Sequence, residues 1–211
     1  FQFASASAIR TLYKEGTLEK LSSTVPDKVF AILEKEYNKR FPIYPNDFSI
    51  CLYYRLLMEK ERNIALHLYQ DVSKEIGQRI YNKLPHYTSY EAYALSIKTR
   101  QYTLTRIYRG LLHILLNIRA KDYQIYSAND FIPYAKILGF QKNASPLLSY
   151  IKKNTSIPLI AKMANANKYL DDYGKKMLRQ DILAANIYKK IQEEKFQVPL
   201  ANEFTEKLRI F

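Results

Sequence analysis

Two groups of residues in this chain have the types and spacing to handle an anion. The first is Ser5-Ala-Ser-Ala-Ile-Arg10. Two hydroxyls, a starting helix and an arginine one turn in make a compact oxyanion site. The free N–H groups and positive dipole end of a helix N-terminus favour negative charge, and a guanidinium offers a fork to phosphate oxygens. The same residues also suit a serine N-cap followed by an ordinary surface arginine, so Ser5, Ser7 and Arg10 alone do not decide. The second group lies in 98–118. Leu104, Ile107, Leu111, Leu115 and Ile118 recur at helical spacing and share one face. Arg106, Arg109, His113 and Asn117 repeat at steps of three and four on the other. Lys98, Arg100 and Tyr102 stand just ahead of them. Cations for phosphates with an aromatic for stacking is how single-stranded RNA is commonly held.

Charge makes the second group stand out. Between Ala92 and Leu170 there are twelve Lys and Arg against Asp122 and Asp130 alone, so this block carries +10 of the chain's +13. Such a surface suits a polyanion. The alternative is that Arg106 and Arg109 pair with carboxylates from other elements, Glu91 or a glutamate of the 26–39 helix. Gly110, inside the stripe, allows close approach of a backbone, a ligand or another helix. His113 could hydrogen-bond a phosphate or be a satisfied structural histidine. Lys152 and Lys153 close a helix over 143–154, where lysines complement the C-terminal dipole and would also extend the basic surface. With nineteen Tyr and no Trp, most tyrosines read as half-buried packing residues with a wet hydroxyl. Tyr102 is the stacking candidate, and Tyr108 leans toward the apolar face.

Several chemistries find no residues. The only cysteine, Cys51, excludes an internal disulfide and a cysteine-based zinc site and fits a reducing, cytoplasmic compartment. His67, His86 and His113 are isolated in sequence, and no metal site is expected. There is no Gly-rich phosphate loop, no Ser-His-Asp order and no persuasive carboxylate pair, so no catalytic residue is named. Apolar runs fall far short of the roughly 20 residues a membrane span needs.

The elements that position these residues are mainly helical. A low count of five Gly in 211 residues favours helices over a turn-rich β fold. A helix is expected from Ser7, with Ser7 as its cap, and another over 26–39 with Pro26 first. Residues 41–45 read as a stiff linker, after which Asn46 or Asp47 caps a helix to about Lys60. Another spans 63–83, with Gly77 inside it. Thr88 to Glu91 has the capping-box pattern of a helix running to Lys98, and Thr103 caps the helix that carries Arg106. The period then changes. Residues 132–140 read as one short strand and 157–161 as a second, at an edge because of Pro158, giving a small β-α-β unit with the 143–154 helix between them. A last helix covers 174–194, burying Leu178, Ile182, Ala185 and Tyr188 or Ile191. The expected class is therefore mainly α, a multi-helix domain with a small β-α-β element near 132–161.

These residues also carry a resemblance. Ser5 to Arg10 resembles the Ile-Ser-x-Thr-x-Ile-Arg signature of the nucleotidyltransferase superfamily that also has a His-x-Gly-His motif, with Ala4 where the pattern has Ile and Ser7 where it often has Thr. Residues 98–117 resemble the Thr-Lys-Arg-Tyr-Thr … Arg-Ile-x-Arg … Leu-Leu stretch of the bacterial tRNA(Met) cytidine acetate ligases, with Gln101 interrupting the run. Residues 138–140, 152–160 and 181–188 fit that family in the same order.

The resemblance implies a two-step reaction. ATP and acetate give acetyl-adenylate and pyrophosphate, and N4 of the wobble cytidine of elongator tRNA(Met) then attacks the activated acetyl group. Catalysis would be mainly positioning and charge neutralisation around the triphosphate. No His-x-Gly-His occurs here, and the chain opens on Phe-Gln-Phe just before a motif. The expectation is a C-terminal portion, with 1–25 the tail end of a nucleotidyltransferase-like domain and 26–211 a helical domain with a basic, tRNA-facing surface. Ser5, Ser7 and Arg10 would meet ATP phosphates. Lys98, Arg100, Arg106 and Arg109 would meet tRNA backbone or the nucleotide, and Tyr102, His113, Lys152 and Lys153 would join them on the tRNA-binding surface. Mg2+ would accompany ATP and be bound mainly outside this chain, which alone would make no acetyl-adenylate. The rival readings are a non-catalytic helical RNA-binding module and a protein-interaction domain with a basic face.

Overall fold

The computed structural model of the chain describes residues 4–206 and 208–211. Ten α-helices lie among them: α1 (Ala6–Glu15), α2 (Leu18–Ser22), α3 (Asp27–Glu36), α4 (Ser49–Glu61), α5 (Lys74–Lys83), α6 (Tyr90–Ile97), α7 (Leu104–Leu115), α8 (Ala120–Ala128), α9 (Ser145–Asn154) and α10 (Asp172–Phe196). Strands are two residues long: β1 (Ala135–Lys136), β2 (Gly139–Phe140), β3 (Leu159–Ile160) and β4 (Arg209–Ile210). The mainly α expectation holds.

The large core is built around α7. Its Ile107, Leu111 and Ile114 are buried against Leu52 and Leu56 of α4, Ile76 and Ile80 of α5, and Tyr93 and Ile97 of α6. Both ends of α7 are set locally. Thr103 Oγ1 accepts from the Arg106 N–H at 3.3 Å. At the other end Asn117 takes φ 57, its N–H reaches the Ile114 carbonyl, and the Ile118 N–H reaches that of His113 at 2.8 Å. This is a Schellman closure with asparagine in the left-handed position. A smaller core gathers Ile160, Met163, Ala166, Leu170 and Leu178 under the short strands.

The β-α-β unit is present: β1 pairs parallel with β3 through Ala135↔Leu159 and Lys136↔Ile160, and α9 forms the crossover. Pro158 takes no ladder role as a donor; its carbonyl accepts from the Ala135 N–H. Residues 132–140 do not form one strand, however. The chain breaks after Lys136, and β2 pairs instead with β4 near the C-terminus, Gly139↔Arg209 and Phe140↔Ile210.

Other differences have local causes. Ser5, not Ser7, caps α1, its Oγ accepting from the Ala8 N–H at 3.2 Å. The 26–39 helix starts after Pro26 and stops at Glu36, because Tyr37 is extended and Asn38 is left-handed. The expected 63–83 helix is interrupted: Asn63 and Asp71 take φ of 55 and 62, and α5 begins only after Ser73 caps the Ile76 N–H. Ser89, one residue later than expected, caps α6, and Glu91 reaches Lys14 and the Asn46 side chain rather than closing a capping box. A turn of 3-10 helix over Pro45–Phe48 precedes α4, with the Asp47 carboxylate accepting from the Tyr44 N–H.

Candidate nucleic-acid interface and anion site

At the N-terminus of α1 the hydroxyl of Ser5 is spent on the cap, and the Ala6 and Ser7 N–H groups have no acceptor among the described residues. Arg10 folds back over the first turn, its Nη2 donating to Ser7 Oγ at 3.4 Å. Ser5, Ser7 and Arg10 are all exposed, and the first turn holds no acid. Arg10 also edges a hollow of about 380 Å³ walled by Tyr13, Tyr44 and Tyr188. That hollow shares Ile43, Tyr44, Pro45 and Tyr188 with a second, about 470 Å³, that reaches Tyr108, Arg109 and Leu112 of α7. The 43–45 linker thus joins the region of α1 to that of α7. The Tyr44 hydroxyl is buried there with no hydrogen-bond partner among the described residues, and burial pushes its pKa up to about 12.

The polar stripe of α7 does two different things. Arg109 is held: its Nη2 and Nε lie 2.7 and 3.0 Å from Asp71 Oδ2. His113 Nδ1 is 2.9 Å from the Gln70 carbonyl, which can only accept, so Nδ1 carries the proton; Asp71 Oδ2 is a further 3.5 Å contact. Asn117 Oδ1 accepts from Arg55 and Arg119. Those arginines flank the buried Glu59, and Arg119 stacks 3.9 Å over the Tyr69 ring. An acid from outside the depleted block therefore does offset Arg109. It is Asp71, and neither Glu91 nor a glutamate of α3. Gly110 explains the approach. A Cβ there would lie 3.2 Å from Val72 Cγ2 and 3.5 Å from the Asp71 carbonyl, so glycine lets the 71–72 backbone pass beneath Arg109.

Lys98, Arg100 and Arg106 remain exposed, and none has a carboxylate in ion-pair reach among the described residues. Arg106 lies over the Tyr102 ring, 5.2 Å from its centroid. Tyr102 is half-buried and pinned: its hydroxyl accepts from Ser73 Oγ and donates to Glu75 Oε2 at 3.3 Å. One ring face is thereby taken by a cation of this chain. Hydrogen bonds from Ser73, from its own backbone N–H and from Tyr102 hold the exposed Glu75 carboxyl below its usual range. Tyr108 stacks on Tyr90 with ring centroids 5.5 Å apart, on the inward side. Lys152 and Lys153 are exposed in the last turn of α9, on the β-α-β unit and not on the α7 body; Lys152 edges a hollow of about 430 Å³ with Lys162, Asn165 and Tyr169.

One part of this surface was not anticipated from sequence. Gln78, Arg79, Asn82 and Lys83 of α5 face the 99–102 loop across a hollow of about 630 Å³. Their steps of one, three and four residues were a readable signal of a shared polar helix face. Among the described residues no group of three or more His, Cys, Asp and Glu could hold a metal ion, and no helix is long and apolar enough to cross a membrane.

Comparison with known proteins gives a consistent result. The family model described as HIGH Nucleotidyl Transferase matches residues 1–202. The tRNA(Met) cytidine acetate ligase of Acetivibrio thermocellus is 33% identical over 215 residues, covering 98% of this chain and 51% of that protein. Those of Thermoanaerobacter sp. strain X514 and Listeria welshimeri are 34% and 35% identical, each covering 89% of this chain and 45% and 43% of the relative. The crystal structure of Thermotoga maritima TmcAL bound with alpha-thio ATP superposes with a TM-score of 0.86 at 22% identity, over 99% of this chain and 52% of that one, a likeness of fold. The chain spans about half the length of the curated relatives it matches.

Proposed function

The chain belongs to the HIGH nucleotidyl transferase family, and from that premise we propose that it is the C-terminal part of a tRNA(Met) cytidine acetate ligase, supplying a tRNA-binding surface and part of the ATP phosphate site. The observation that carries the reading is the strip of Lys98, Arg100 and Arg106, exposed and without a carboxylate partner among the described residues at the head of α7. Cations left unneutralised by the fold are available to phosphates, and their use releases the counterions condensed on the nucleic acid.

The overall chemistry would run in two steps. An acetate oxygen attacks the α-phosphorus of ATP and pyrophosphate leaves. N4 of the wobble cytidine then attacks the acetyl carbonyl, AMP leaves, and N4 loses a proton. This chain's own part is to bind and orient. The Ala6 and Ser7 N–H groups, without an acceptor among the described residues, and the Arg10 guanidinium suit phosphate oxygens. The absence of acid in the first turn of α1 suits phosphate and not a divalent cation, so Mg2+ accompanying ATP is assigned to other residues. Residues 1–25 are read as the tail end of the nucleotidyltransferase-like domain; in support, the large core begins only at Leu52. The setting is cytoplasmic, where tRNA, ATP and acetate meet.

The test is filter binding of tRNA(Met) to the 211-residue chain from 50 to 200 mM KCl. The affinity is expected to fall steeply with salt. Binding that ignores salt, or that an acidic protein competes away as well as RNA does, sinks the RNA-facing assignment and favours a protein-interaction domain.

A further inference from the structure

We infer that the hollow between α5 and the 99–102 loop binds a single unpaired RNA nucleotide, its base edge read by the Gln78–Asn82 amide pair and its phosphate held by Lys83. The inference rests on the RNA-binding reading above and adds residues that the α7 surface does not include.

The volume, about 630 Å³, lies in the range of sites that enclose small organic ligands. The walls have an order. The chain from Ile97 to Tyr102 runs antiparallel to α5: Arg79 Nε donates to the Ile97 carbonyl at 2.7 Å, while the Tyr102 hydroxyl meets Ser73 and Glu75. Glu75 therefore marks one end of the hollow and Lys83 the other, about 12 Å apart along the helix at 1.5 Å per residue. The amides lie between. Glu75 opposes an anion close to its own end, and Lys83 offers one a cation at the other, so the phosphate of a nucleotide is assigned to the Lys83 end.

The amide pair supplies the base contact. Gln78 Nε2 donates to Asn82 Oδ1 at 2.9 Å, one helical turn apart. Each side chain spends one polar end on the other. That bond leaves the Gln78 amide oxygen and the Asn82 NH2 group for a ligand, an acceptor and a donor one helical turn apart. Every nucleobase offers the complementary pair on its Watson–Crick edge, and that edge is accessible only in an unpaired nucleotide. Arg79 is not free for the ligand in the same way. Its Nε and Nη2 are held by the Ile97 and Ser96 carbonyls, which fixes a positive wall without side-chain reorganisation. The exposed Lys98 and Arg106 continue the cationic track beyond the hollow, which favours a nucleotide within a strand over a free one.

The test is fluorescence anisotropy with a labelled mixed-sequence RNA of about 12 nucleotides, single-stranded and annealed to its complement. Gln78→Ala with Asn82→Ala changes no charge and alters two exposed side chains. It is expected to weaken single-strand binding about tenfold, within the range of a bidentate base contact, and to leave duplex binding unchanged. Lys83→Met should weaken both. Equal affinity of the double variant and the parent chain for the single strand overturns the proposal, as does an equal loss for strand and duplex. Displacement of the strand by free CMP or AMP as readily as by unlabelled strand overturns it too, in favour of a mononucleotide site. Failure of the parent chain to bind tRNA would instead overturn the RNA-facing reading itself, so the two failures are separable. Thermal melting of each variant verifies that the fold is retained.

Discussion

Arg106→Ala and Arg109→Ala, made separately, should fail in different assays although the two residues lie one turn apart on α7. Among the described residues the Arg106 guanidinium has no ion pair and lies over the Tyr102 ring at 5.2 Å, so its loss should cost about a few tenths of a kcal/mol, the low end for an exposed cation–π contact. Its effect belongs in RNA binding. Each phosphate contact contributes about 0.7 to 0.9 to the slope of log K against log salt. Removing one should flatten the slope by that amount. Between 50 and 200 mM, a fourfold rise in salt, the ratio of parent to variant affinity should then shrink by about threefold. Arg109 is different. Its guanidinium places two donors on Asp71 Oδ2, and Asp71 is only 17% exposed. Because Arg109 itself is 60% exposed, solvent screening holds the pair to about 0.5–1 kcal/mol. For a chain of this length that is a fall in Tm of roughly 1–4 °C. Filter binding of tRNA across the salt range, with calorimetric or fluorimetric melting of the same samples, reads both quantities. An unchanged salt slope for Arg106→Ala would refute the reasoning that exposed, unpaired cations of α7 meet phosphate. A larger Tm loss for Arg106→Ala than for Arg109→Ala would refute the division of the stripe.

Glu59→Ala should destabilise the chain by about 3 kcal/mol or more, because it leaves Arg55 and Arg119 without the carboxylate they flank at 2% exposure; the melt should drop by roughly 6–12 °C, with the salt slope of RNA binding unchanged. Ser5→Ala removes the cap from the Ala8 N–H and should cost about 1 kcal/mol of local helix stability, read as faster amide exchange over the first turn of α1 and weaker binding of an ATP analogue. Glu203 gives a pH signature. Burial opposes its charge, but Lys136 and Lys189 outweigh it and hold the carboxyl below its usual range. A depressed folded pKa stabilises above the unfolded value of about 4.3 and is lost as pH falls through the folded value. The melt of the parent chain should therefore fall with acid below about pH 4.5, and Glu203→Gln should lower stability at pH 7 while flattening that acid limb.

How much of this was legible in the sequence depended on the range of the interaction. Thr103 and the apolar spacing of α7 act within one or two turns, and the helix, its cap and its buried face follow from them. The β1-α9-β3 unit was readable for a related reason: the period changes and Pro158 forces an edge-like role. What failed was non-local or conformational. Positive φ at Asn63 and Asp71 broke an expected helix, since asparagine and aspartate tolerate the left-handed region and no periodicity reports it. The split of 132–140 needed a partner strand some 70 residues on, at Arg209 and Ile210, too short to carry a pattern of its own. The basic stripe shows the same limit at the site. Counting acids inside 92–170 left Arg109 unpaired, yet its partner is Asp71, brought under it because Gly110 lets the 71–72 turn approach. Local acid depletion measures the charge of a segment, and a folded surface is assembled from several segments. Around the head of α7 the cations that remain available for a polyanion are those without a carboxylate in reach among the described residues: Lys98, Arg100 and Arg106, with Lys83 joining them from α5.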